Sequence, residues 1–179
     1  VNENITTFAQ FNFSEVWPGG DAYSDADPNG NTNDFDGMAQ AYLQAKDLFE
    51  RSLQINPAND SAKIGLGGAY LFGGISATPM EGILKVREVA EKDSTNIYAQ
   101  MMLGKGSLLS GQYDKALDRF LKVVRMDPKN LDACLLLGEV YERTGDKAKA
   151  ISWYQQSLPL TKQEEVATAI RQRIAELKK

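Results

Sequence analysis

Residues 97–130, IYAQMMLGKGSLLSGQYDKALDRFLKVVRMDPKN, and residues 131–164, LDACLLLGEVYERTGDKAKAISWYQQSLPLTKQE, align at an offset of 34. Leu103-Gly104 falls on Leu137-Gly138, Gly111 on Gly145, Ala116 on Ala150 and Phe120 on Tyr154. The register runs backwards through residues 60–96, which carry Leu66-Gly67, Gly74, and Gly82 in the place of the later Ala. That unit has 37 residues, and its three extra residues fit the Gly- and Pro-rich turn GGISATPM. Before it, MAQAYLQAKDLFERSLQINP supplies Ala45, Phe49 and Pro57 at the offsets of a second repeat helix. A fixed period of this length constrains the fold strongly. Each period is one supersecondary unit that cannot bury its apolar face alone, so neighbours stack. Gly and Ala let backbones approach, and Leu103, Phe120, Leu137 and Tyr154 fill the space between layers.

This pattern resembles the tetratricopeptide repeat (TPR) family. Leu103, Gly104, Gly111, Ala116, Phe120 and Pro128 match its Leu-Gly pair, mid-repeat Gly, Ala, aromatic and Pro throughout one unit. Two positions depart from it: Ser94 stands where Pro is expected, and Pro159 ends the last second helix early. The resemblance implies an all-α fold, a right-handed superhelix of antiparallel helix pairs (a TPR solenoid) with a C-terminal capping helix. Residues 1–37 form an aromatic segment and acidic loop, and residues 38–179 the array. Within the array, 38–59 is the second helix of a degenerate repeat, 60–96, 97–130 and 131–164 are repeats, and 165–179 is the cap. Helices are expected at 38–56, 60–73, 79–92, 97–110, 113–126, 131–144, 147–158 and 163–178. In the last of these, Val166, Ile170, Ile174 and Leu177 make one apolar stripe, as a cap over the final repeat requires.

Composition narrows the function. With 20 basic and 24 acidic residues the net charge is −4, which argues against nucleic acid as the main partner. The chain has no His, the commonest general base and transition-metal ligand, and one Cys, Cys134, so an intrachain disulfide is excluded. GLGGAYLFGG lies in a repeat helix and its turn, with no strand before it, and is not a phosphate loop. No run of eighteen apolar residues is present to insert in a membrane. The chain is therefore read as a non-enzymatic scaffold for a protein or peptide partner.

In the family, the first helix of each repeat lines a concave surface. By offset, that surface here is Ile64, Gly68, Leu71 and Phe72, then Tyr98, Met101, Lys105, Leu108 and Leu109, then Leu135, Glu139, Glu142 and Arg143. Some members bind a C-terminal carboxylate through Lys and Asn at set positions. Ile64 and Gly68 occupy those offsets, so that clamp is absent. The groove reads as apolar at its N-terminal end and mixed in charge at its C-terminal end, although Leu and Met at such offsets also serve as core between helices.

Two N-terminal features stay open. ITTFAQFNFSEVW, with Phe8, Phe11, Phe13 and Trp17, either completes the first repeat as its missing helix or lies along the groove, in cis or in a dimer partner. DADPNGNTNDFD, residues 25–36, resembles the calcium loop of EF-hand and dockerin proteins. That resemblance implies oxygen ligands from Asp25, Asp27, Asn29, Asn31, Asn33 and Asp36, with Gly30 at the sharp turn. The alternative is a polar loop of turn formers whose Asp34 or Asp36 caps the next helix. A second functional reading follows, a calcium-stabilised or self-associating, dimeric structural module in the bacterial envelope. A first residue other than Met, together with the calcium-like loop, points to the periplasm over the cytoplasm, behind an N-terminal segment since removed.

Overall fold

A computed structural model describes residues 33–72 and 79–179. Among these residues the chain is all-helical: α1 Asn33–Ile55, α2 Asp60–Phe72, α3 Pro79–Lys92, α4 Ile97–Leu109, α5 Tyr113–Met126, α6 Leu131–Arg143, α7 Lys147–Ser157 and α8 Glu164–Leu177. A 3-10 turn, Leu158–Leu160, carries Pro159, and the second helix of the last repeat ends one residue before the expected 158. Pro159 lacks the amide hydrogen that a continuing helix would need. One span differs more. The first helix begins at Asn33 and not at 38, so Asp34 and Asp36 stand inside its opening turns and do not precede it as caps. Gly37 stands within the helix, where a single Gly costs only about 1 kcal/mol.

The described residues divide into two compact units, residues 33–102 without 73–78, and residues 103–179. In the first, α2 packs on α1 on one side and on α3 on the other. Its core holds Ala45, Ala62, Leu66, Val86 and Val89. The α2–α3 crossing seats Val86 of α3 on Gly67 and brings two glycines together. A Cβ on Gly82 would stand 3.0 Å from the Gly67 Cα, and one on Gly67 would stand 3.0 Å from the Gly82 carbonyl oxygen. The aromatic Phe49 of α1 fills the gap left by Gly65 instead.

In the second unit the crossings are glycine on aromatic. Phe120 of α5, fully buried, lies on Gly104, and Tyr154 of α7 lies on Gly138. Ala150, Tyr154, Ile170 and Ile174 form one apolar cluster, with Leu135, Val166 and Leu177 packed around it. The stripe on α8 thus covers the last repeat. Its innermost members are Ala167, Ile170 and Ile174, while Val166 and Leu177 are half-buried.

Helix ends follow the same period. At the repeat starts, Asn59, Asn96 and Asn130 each accept the backbone amide three residues on, from Ala62, Ala99 and Ala133, at 3.0–3.1 Å. Three residues before each, Asn56, Asp93 and Asp127 accept from the amides of Ala58, Thr95 and Lys129. The chain is bent by an Asx turn and its next helix capped by an Asn, three times over. Ser94 can replace Pro because the Asx residue, not the ring, makes the turn. Buried Gln100 adds a hydrogen bond to the Ser94 carbonyl at 2.9 Å. At the ends of α4 and α6, Gly111 and Gly145 adopt φ of 70° and 82°. The amides of Gln112 and Asp146 then reach back to the Ser107 and Tyr141 carbonyls, both at 2.8 Å, closing the helix ends.

Candidate functional site: the inner helices of the repeats

The first helices of successive repeats are α2, α4 and α6, and counting on by 34 brings α8 into the same series. Within the first unit, the positions expected to line a groove divide. Tyr98 is 66% exposed, and Ile64, Leu71 and Phe72 are half-buried. Gly68 and Met101 are buried, with a Cβ on Gly68 standing 3.0 Å from the Met102 methyl. These two positions pack between helices; a carboxylate clamp has no side chain to work with there.

The second unit is different in chemistry. Lys105 is half-buried, and burial pushes its ammonium pKa below the ordinary lysine value, with Asp132 opposing the shift. Thirty-four residues on, Glu139 is buried, and burial raises its carboxyl pKa. Arg143, whose Nε donates to Glu139 Oε1 at 3.1 Å, partly offsets that rise. Thirty-four further, Arg173 of α8 donates to Glu142 Oε2 at 3.0 Å and to Glu176 Oε2 at 2.9 Å. Glu142 also accepts from the Tyr154 hydroxyl at 3.2 Å. The tyrosine pKa is driven up by burial and then by Glu142, and the guanidinium is held charged by its two carboxylates.

At one position of three successive inner helices the sequence therefore places Lys105, Glu139 and Arg173. One turn further on stand Leu108, Glu142 and Glu176. Leu108 is half-buried, Leu109 is 63% exposed, and Leu135 packs on the apolar cluster beneath α8. Arg173 and Glu176 were not expected from the sequence. The offset that exposes them is the repeat period itself, carried one unit past the last recognisable repeat.

Among the described residues no group of three or more His, Cys, Asp and Glu side chains could hold a metal ion. Asp25, Asp27, Asn29 and Asn31 lie outside the described residues, as do Phe8, Phe11, Phe13 and Trp17. Of the proposed calcium set only Asn33 and Asp36 fall on described backbone, in α1. Among the described residues no helix is long and apolar enough to cross a membrane.

Residues 107–174 match the family model described as tetratricopeptide repeat. Over that stretch the chain is similar to tetratricopeptide repeats. No curated protein sequence matches the chain significantly. Among solved structures, the thermophilic TPR protein TTC0263 of Thermus thermophilus is 22% identical, with 80% of each chain covered and a TM-score of 0.62. YrrB, described as a TPR protein with an unusual peptide-binding site, is 22% identical over 74% of this chain and 67% of its own, with a TM-score of 0.61. A structure of MamA is 20% identical over 86% of this chain and 94% of its own, with a TM-score of 0.55. At these identities the likeness is one of fold: the chain shares the helix pairing of TPR solenoids.

Proposed function

We propose that this chain is a non-enzymatic scaffold that holds a protein or peptide segment on the inner helices of its TPR array. The observation that carries this reading is the pair Lys105 and Glu139. Repeat packing needs Gly, Ala, Leu and aromatic residues, and it has no use for charge. Yet two ionisable side chains of opposite sign occupy the same position of adjacent inner helices, Lys105 half-buried and Glu139 buried. Burying charge costs stability unless it is paired, and perturbed titratable groups gather where proteins bind. Backbone amides and carbonyls of an extended partner segment would meet one donor and one acceptor there, flanked by Leu108, Leu109 and Leu135. The peptide-binding site of YrrB, on a similar fold, agrees with this use.

The test is capture of partners by the whole chain against Lys105→Met and Glu139→Gln, singly and together. Helical circular dichroism should match the wild type in each variant, because both substitutions keep side-chain length and remove a desolvated charge. Loss of the same captured set in both singles is expected. Recovery of an unchanged set by the double variant would remove the inner face of the second unit as the binding surface.

A further inference from the structure

The helix α1 is under-covered for its place in the repeat. Its packed face, Tyr42, Ala45, Phe49 and Leu53, lies towards α2. Beside it runs a stripe of small and apolar residues, Ala41, Ala45, Leu48, Ser52 and Ile55, at spacings of four, three, four and three. Spacing of this kind marks a helix face built to be covered. Only Ala45 of the stripe is buried; Leu48 is 59% and Ile55 87% exposed.

The later second helices show what is missing. Phe49 falls at the repeat position of Val86, Phe120 and Tyr154, all three buried, whereas Phe49 is half-buried. Ser52 falls at the position of Val89, Val123 and Ser157, again all buried, whereas Ser52 is half-buried. Leu48 is exposed where Lys85, Arg119 and Trp153, each more polar or larger, are half-buried. The later second helices α3 and α7 lie against the first helix of their own repeat. For α1 that first helix is absent from the described elements.

Counting back 34 residues from α2, Asp60–Phe72, puts the missing helix at 26–38. Those residues read ADPNGNTNDFDGM, which Pro28, Gly30 and three Asn make a poor helix, and α1 has already begun at Asn33. The covering element must come from further upstream or from another molecule. Upstream stands ITTFAQFNFSEVW, residues 5–17, with Phe8 and Phe11 one helical turn apart. As a helix it would be about 20 Å long, the length of the stripe from Ala41 to Ile55. Residues 18–32 join it to α1, and these fifteen residues reach up to about 50 Å when extended. The connection therefore permits the segment to fold back antiparallel along the whole stripe.

We infer that residues 5–17 dock on the Ala41–Leu48–Ser52–Ile55 face of α1 in the same molecule and serve as the first helix of the degenerate repeat. Ala41 and Ser52 leave room for the rings of Phe8 and Phe11. The enlarged acidic loop is then the turn of that repeat, and the array is closed at its N-terminal end by its own chain.

The chain has two tryptophans, Trp17 and Trp153, so Trp153→Phe leaves Trp17 as sole reporter. In this variant, blue-shifted emission and acrylamide quenching several-fold weaker than that of free tryptophan are expected, unchanged by dilution, with a monomer mass by light scattering. Adding Leu48→Asp should red-shift the emission and restore free quenching while helical circular dichroism is retained. Adding Phe8→Ala and Phe11→Ala should do the same without touching α1. Three results would each overturn the inference: free quenching of Trp17 in the parent, shielding that survives Leu48→Asp, or shielding that tracks a dimer mass. The second would place the segment elsewhere, and the third would give the face to a second copy.

Discussion

The two compact units solve the same packing problem differently. Between α2 and α3 the first unit sets only the small Val86 on Gly67, so that Gly67 also meets Gly82 backbone to backbone, and it borrows its aromatic, Phe49, from the preceding helix. In the second unit each glycine receives a ring from its own repeat, Phe120 on Gly104 and Tyr154 on Gly138. A ring against a glycine is a knob in a hole, with a large apolar area and one permitted depth. Two glycines face to face offer little area but bring main chains close. The difference shows that the repeat register specifies a distance between helices, and that more than one residue set satisfies it. The same division appears on the inner helices, apolar at Ile64 and Leu71 in the first unit and charged at Lys105 and Glu139 in the second.

The contrast can be broken at both crossings. Phe120→Ala removes a fully buried ring and should cost about 3–5 kcal/mol. Because repeats couple mainly to their neighbours, amide exchange should accelerate most in α4 to α6. Exchange rising equally in α2 and α3 would mean that the two crossings do not report on separate units. Gly67→Ala is the converse test. Its new methyl meets the Val86 side chain first and then the Gly82 carbonyl, which cannot turn aside as a side chain would, so a loss of about 1–3 kcal/mol in urea denaturation is expected. A neutral result would show that α2 and α3 separate at little cost.

The smallest expected effect sharpens the difference in charge. Glu139 has a raised carboxyl pKa, so the folded state holds its proton more tightly than the unfolded chain does. Its contribution to stability is present below the ordinary carboxylate range and is lost as pH rises through the raised value. Asp146 and Glu176, with lowered values, act in the opposite sense and are common to both proteins compared. Glu139→Gln should therefore match the wild type near pH 4 and become the more stable of the two towards pH 8. A stability difference that shrinks over that range would contradict the burial argument.

Much of this architecture could be read from the chain. Leu-Gly pairs and the aromatic sixteen residues after the glycine place the helix pairs from α2 onward to within a residue or so at their ends, because close approach tolerates so few residue types. The start of α1 differs from the expected 38: the helix runs through Gly37 back to Asn33, across Asp and Asn residues whose types favour turns and caps. The link from Arg173 to Glu142 spans 31 residues and depends on how α8 lies on α7 and α6, which no local pattern states. The Asx turns at Asn56, Asp93 and Asp127 were visible as residue types, yet the Pro of the family pattern masks them. Lys105 and Glu139 were named from their offset, but their degree of burial follows from packing alone.

Those three turns have a consequence for how such a chain can change over time. Each period carries one set of punctuation at its end: an Asx residue that bends the chain, then an Asn that opens the next helix. A duplicated or deleted segment of one period would bring or remove one start signal along with its helices. The reading frame of the fold would survive the edit, so the array can gain or lose length in whole units without a new junction being invented.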